Sequence, residues 1–117
     1  MPIQRFDTNT RMSQAVLHNE TIYLAGQVAL DAPGTSAAQQ TTNILERIDH
    51  LLNDAGSEKS KLLSATIWLA NIDDFSEMNE VWDAWVSPNN APARACVEAR
   101  LAAPHFTVEI AVIASAS

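Results

Sequence analysis

The apolar residues of this chain change their spacing several times, and each change marks an element of structure. Over residues 21–28, Thr21, Ile22, Tyr23, Leu24 and Val28 form a run of strand formers, and Val16 and Leu17 precede it across His18, Asn19 and Glu20, which read as a tight turn. The pattern predicts a β-hairpin. Further on the period lengthens: Ile44, Leu45, Ile48, Leu51, Leu52 and Ala55 recur at threes and fours, the spacing of one helical face. Ser36 and Gln39 stand at capping-box spacing ahead of this helix, behind the turn cluster Asp31, Ala32, Pro33 and Gly34, and Gly56 supplies a left-handed stop. Residues 62–70 are mostly apolar, with Thr66, Ile67 and Trp68 at their centre, and predict a strand. A second helix follows. Asp74 and Glu77 repeat the N-cap and N3 pattern, Phe75, Met78, Val81, Trp82 and Trp85 make one apolar stripe, and Pro88 ends it. Two further strands fit residues 93–101 and 106–114, joined by a short turn at Ala102, Ala103 and Pro104, and Ile3 to Phe6 add a short edge strand.

Each helix in this order is followed by a strand, which predicts an α/β (α+β) fold of two layers, with two helices on one face of a single mixed sheet. Side chains alternate along a strand, so Ala95, Val97, Ala99 and Leu101 share one face and Arg94, Cys96, Glu98 and Arg100 the other; the first set is expected to face the helices. The last strand is apolar on both sides, with Phe106, Val108, Ile110, Val112 and Ala114 on one face and Ala111 and Ile113 on the other. Two helices cover only one face of a small sheet, so the other is expected to meet another copy of the chain. Glu109 interrupts this apolar strand, and burying a carboxylate alone is costly unless it is paired or protonated. Arg94 is a candidate partner.

Composition narrows the functional classes. At 117 residues the chain fits one domain, 1–117, and 47% hydrophobic with 18% charged residues is the balance of a folded protein. A formal charge of −7 would repel a phosphate backbone, so no nucleic-acid partner is expected. No apolar run approaches the roughly 20 residues that span a bilayer, and the opening Met1, Pro2, Ile3, Gln4 and Arg5 lack the basic and apolar regions of a signal peptide, so the expected compartment is the cytoplasm. Cys96 is the lone cysteine and reads as a small buried hydrophobe. His18, His50 and His105 have no spacing that gathers metal ligands. Trp82 and Trp85 read as packing residues, and Gly26 as a point of close backbone approach.

The segment Pro92-Ala93-Arg94-Ala95-Cys96-Val97-Glu98, followed by Val108-Glu109-Ile110, resembles the signature of the RidA/YjgF family of reactive-intermediate (enamine/imine) deaminases. Ser13-Gln14-Ala15-Val16, Ala25-Gly26-Gln27-Val28 and Met78-Asn79-Glu80-Val81-Trp82 extend the resemblance over most of the chain. It implies a chorismate-mutase-like fold assembled as a homotrimer, with helices outside and active sites in clefts between subunits. It further implies that Arg94 binds the substrate carboxylate, that Glu109 positions or activates water, that the backbone at Cys96 orients the reacting group, and that Met12, Ala25, Gly26 and Asn79 lie at the substrate. The implied reaction is the cofactor-independent and metal-independent hydrolysis of 2-imino acids, such as 2-iminobutanoate and 2-iminopropanoate, to 2-oxo acids and ammonia. Guanidinium suits the first role because it grips a carboxylate through two parallel charge-assisted hydrogen bonds. Departures point to a more apolar pocket and a shifted substrate preference: Met12 stands where many members carry Tyr, Ala25 where they carry Ser, Ala95 where Ser or Thr is common, and Leu101-Ala102-Ala103-Pro104 replaces a Leu-Pro turn. An alternative from another class uses the same cleft to bind or sense carboxylate metabolites without catalysis. A ribonuclease role is disfavoured by the acidic charge and the missing basic platform.

Overall fold

A computed structural model describes residues 2–117. The first three strands, β1 (Gln4–Thr8), β2 (Ser13–His18) and β3 (Thr21–Leu24), form an antiparallel meander, so the edge strand expected at the start of the chain is present. His18 pairs with Thr21, leaving Asn19 and Glu20 as a two-residue turn, both at positive φ (50° and 66°). That is the turn geometry whose twist matches the flanking strands. The run 21–28 is not one continuous strand. Tyr23 lies opposite Ile113 and Gln27 opposite Ile110 on the last strand, β7 (Val108–Ser115), so one side carries an extra residue. The resulting bulge falls at Ala25 and Gly26, and the chain resumes pairing as β4 (Gln27–Val28).

Helix α1 (Ala37–Asp54) is built as its pattern requires. Ser36 and Gln39 form the capping box, and the chain leaves through Gly56 at φ 85°. There the Ser57 amide donates to the Leu52 carbonyl (2.8 Å) and the Gly56 amide to the Asn53 carbonyl (3.1 Å), which satisfies carbonyls that the helix end would orphan. The whole predicted stripe, from Ile44 to Ala55, is buried. Each Leu or Ile sealed this way contributes about 1.5–3 kcal/mol. Helix α2 (Phe75–Trp85) begins differently from expectation. A 3₁₀ turn, Ile72–Asp74, leads into it, Asp74 makes no side-chain cap, and Asn71 instead accepts from the Asp73 amide at 2.9 Å. The Glu77 carboxylate crosses to the other helix and accepts from the Ala38 amide at 2.7 Å. The spacing was right for a capping box, but an unsatisfied amide in the first turn of α1 competes for the same carboxylate.

Strand order in the seven-stranded sheet is β1-β2-β3-β7-β5-β6, with β4 also on β7. Here β5 is Leu62–Leu69 and β6 is Ala93–Glu98. β5 lies between the last two strands, parallel to β6 and antiparallel to β7. The expected short turn between β6 and β7 is therefore a longer connection that passes the end of β5, and both strands are displaced from the predicted bounds. Fully buried Gln40 clamps this connection to α1, donating to the His105 carbonyl at 3.1 Å and accepting from the Thr107 amide at 2.8 Å. Both helices pack on one face, over Ala65, Ile67, Leu69, Val108, Ile110 and Val112. Among the described residues no helix is long and apolar enough to cross a membrane.

One expectation about faces is reversed. In β6, Arg94 pairs with buried Ala65 and Cys96 with buried Ile67, so these two point to the helix side, while Ala95 and Val97 pair with Thr66 and Trp68 and point away. β6 is an edge strand, and α2 does not extend far enough over it to bury either row fully. Polarity along the strand therefore gave no true reading of direction.

Candidate functional site

Arg94 sits at the sheet edge beside α2. Its Nη1 donates to Asn79 Oδ1 at 2.8 Å, and the guanidinium carbon lies 5.3 Å from the Trp82 ring centre and 6.0 Å from that of Phe75. Both distances are within reach of a cation–π attraction. Asn79, Trp82 and Phe75 are brought together because they sit at three- and four-residue spacing on one side of α2. Trp82 is buried, whereas Phe75 is 41% exposed and so leaves the core stripe predicted for it to flank the arginine. Held on one side by an amide and on its face by aromatic rings, the guanidinium keeps other N–H donors for a ligand. Cys96 lies on the same face, half-buried against the core. Burial pushes its thiol up, opposed in part by the Arg94 guanidinium. The sulfur therefore stays protonated at neutral pH and is a packing atom rather than a nucleophile.

Glu109 belongs to the opposite face. It pairs with Trp68 on one side and Val28 on the other and alternates with buried Val108 and Ile110. Its carboxyl lies over Gly26 at the bulge and lines a small cavity of about 230 Å³ with Trp68, Ala99, Arg100, Leu101 and Ala102. Partial burial raises its pKa above the usual carboxylate range. Arg94 is not its partner within the chain. Arg94 lies opposite Ala65 and Glu109 opposite Trp68 on the strand between them. Their Cα positions thus differ by two strand spacings and three residues, roughly 14 Å at the usual spacings of a sheet. Glu98 is also engaged elsewhere, accepting from the Ile72 amide at 3.0 Å. The sequence-predicted residues thus form two groups, Arg94 with Asn79 and Cys96 on the helix side, and Glu109 with Gly26 and Ala25 on the other.

Residues 2–116 match the family model described as Endoribonuclease L-PSP. The chain also matches the crystal structure of a member of the YjgF protein family from Neisseria meningitidis, with a TM-score of 0.96 and 46% identity over 100% of this chain and 97% of that one. The chain belongs to the YjgF/RidA family. The RutC family protein YoaB of Escherichia coli is 46% identical over 116 residues, 98% of this chain and 99% of that protein. A rat protein named 2-iminobutanoate/2-iminopropanoate deaminase is 32% identical over 108 residues, 87% of this chain and 77% of that one.

Within this YjgF/RidA chain the other site positions are placed less tightly. Met12 is 39% exposed in the β1–β2 loop, where its amide donates to Asn9 Oδ1 at 2.9 Å. The Ala25 amide donates to the Gln14 carbonyl at 2.9 Å, and its carbonyl accepts from Gln27 Nε2 at 3.0 Å. Sequence reasoning missed Phe75 and Trp82 as the aromatic support of Arg94, and Arg100 as the cation lining the Glu109 cavity. The i, i+4 and i+7 spacing of Phe75, Asn79 and Trp82 was a usable signal for the first, but nothing in the sequence showed that β6 would lie beside that side of α2.

Proposed function

We propose that this protein hydrolyses reactive 2-imino acids to 2-oxo acids and ammonia, in clefts formed between copies of the chain in a homotrimer. The observation that carries this reading is the Arg94 guanidinium, oriented by Asn79 and Trp82 and open to solvent at the sheet edge. It suits a small planar carboxylate, which it would hold through two parallel N–H bonds. Water then adds its oxygen to the imine carbon, the C=N π pair moves to nitrogen, and nitrogen takes a proton. The carbinolamine so formed breaks its C–N bond, ammonia departs, and loss of the hydroxyl proton leaves the 2-oxo acid. Glu109 would accept a proton from the attacking water and return one to the departing nitrogen, a role for which a raised pKa is suited.

Arg94 and Glu109 leave the sheet by opposite faces, so a substrate touching both needs them from different protomers. A heterologous contact repeated round a closed ring supplies each Arg94 with a neighbour's Glu109, and the family resemblance makes that ring a trimer. The apolar outer face fits such burial, since Tyr23 and Val97 are each 47% exposed on it. The rat relative's name supports the reaction class. Ala25 and Met12 favour a second reading, in which the Arg94 group binds carboxylates without turnover.

The test generates imino acids in situ with an amino-acid oxidase and follows 2-oxo acid release with the protein and with Arg94→Ala. Acceleration by the first and not the second is expected. Equal rates would remove the deaminase reading, and carboxylate binding without acceleration would establish the second one.

A further inference from the structure

Gly26 stands at the bulge between β3 and β4, and its backbone is outside the left-handed region that favours glycine. Conformation does not explain the missing side chain. Space does. A Cβ added at this position would stand 3.0 Å from the carboxyl carbon of Glu109, 3.3 Å from its Cγ, and closer still to Oε2. Close-packed atoms do not share such distances, so one partner has to move. The backbone is poorly placed to do so. Ala25 is tied through its amide to Gln14 and through its carbonyl to Gln27, while Gln27 is 2% exposed and pairs with Ile110. The Gln27 side chain is held in turn by Gln14 at 2.8 Å and Arg47 at 3.3 Å. Glu109, by contrast, ends in a flexible carboxyl beside an open cavity.

We propose that Gly26 is a positioning residue for Glu109, its absent side chain being the seat in which the Glu109 carboxyl lies. This rests on the assignment of Glu109 to proton handling in the proposed reaction. A methyl at Gly26 would turn the carboxyl into the cavity lined by Trp68, Leu101 and Arg100. Of the described residues facing Glu109 from β4, β5 and the connection after β6, which are Val28, Trp68, Ala99, Arg100, Leu101 and Ala102, only Arg100 is charged. A displaced carboxyl would thus be better solvated and nearer a cation, and both changes favour its ionised form.

The test compares the intact oligomer with its Gly26→Ala, Glu109→Asp and doubly substituted forms. Carboxyl ¹³C NMR, with the Glu109 signal assigned by its loss in Glu109→Gln, should show the Glu109 titration moving down towards the ordinary carboxylate range in Gly26→Ala. Imine hydrolysis by that variant should lose about 10²-fold in kcat, the lower end of what a misplaced general base costs, with KM little changed because Arg94 is untouched. Aspartate withdraws the carboxyl by one methylene, so the effect of Gly26→Ala should shrink to about threefold in the Glu109→Asp background, a coupling that independent sites do not show. An unmoved Glu109 titration, or equal effects of Gly26→Ala in both backgrounds, would overturn the proposal. If Gly26→Ala fails to assemble, the double variant should restore assembly, and failure to do so also counts against the seat. Should the wild type not accelerate hydrolysis at all, the reaction assignment fails, while the NMR titration still decides whether Gly26 seats Glu109.

Discussion

Arg94 and Glu109 show two ways of installing a charge in a small sheet. Arg94 is exposed, yet an amide orients it and aromatic rings lie against it, all from α2 of the same chain. Glu109 is half-buried, yet among the described residues its carboxyl makes no hydrogen bond or ion pair. Water solvates the first, so aligning it costs little and a ligand finds it preorganised. The second is partly desolvated with nothing in return, and burial alone biases it towards its protonated form. One charge is supported within its own chain, and the other has no polar partner among the described residues.

Removing the supported charge should have the largest effect. In the proposed carboxylate role, Arg94→Ala would delete two charge-assisted bonds worth about 1.5–3 kcal/mol each, so kcat/KM should fall by roughly 10²–10⁴-fold. Arg94→Lys should recover part of this, because a point charge attracts a carboxylate without fixing its plane. Steady-state kinetics on in situ imines reads both. Glu109→Gln should come next, with a loss of about 10²-fold in kcat at nearly constant KM. These two variants also test whether the two charges meet across subunits. Each alone should be almost inactive, but in the proposed trimer random mixing of the two should regain about a quarter of wild-type activity, since a closed ring then contains some sites with both groups intact. Mixing that restores nothing would place Arg94 and Glu109 in a single protomer's site, against the opposite faces from which they leave the sheet.

The same contrast explains what was legible in the sequence. α1 was readable to its caps because Ser36, Gln39, Gly56 and the stripe from Ile44 to Ala55 are local signals that agree with one another. β6 was readable as a strand but not in direction or neighbour. Its alternation separates Arg94 and Cys96 from Ala95 and Val97, but which row meets the helices depends on β5 lying between β6 and β7, a non-local fact. Glu77 shows the same limit, since its spacing fits a cap on its own helix and its bond goes to Ala38 on the other. Among candidate site residues, Arg94 and Glu109 were singled out by motif spacing, while Phe75, Trp82 and Arg100 come beside them only through packing. A smaller perturbation follows from that packing. Asn79→Ala removes one hydrogen bond to Arg94 and leaves the Trp82 contact, so about 1 kcal/mol, or roughly fivefold in KM with little change in kcat, is the expected cost. A large fall in kcat instead would mean that Asn79 touches the reacting atoms.

The smallest effect concerns stability and bears on the unpartnered charge. Burial holds the pKa of Glu109 in the folded protein above its unfolded value. Between the two values the folded chain binds more protons than the unfolded one, so the stabilisation linked to this group is fully present below the unfolded pKa and is lost as pH rises through the folded one. Glutamine does not titrate. The stability of wild type relative to Glu109→Gln should therefore decline with pH across a window running upward from the ordinary carboxylate range, while the other carboxylates cancel in the difference. Urea denaturation midpoints at equal protomer concentration measure this, with concentration held constant because an oligomer's stability depends on it. A slope of the opposite sign would mean that assembly brings a cation against Glu109. Its loss in Arg94→Ala would then identify a neighbour's Arg94 as that cation, and its persistence would point to Arg100.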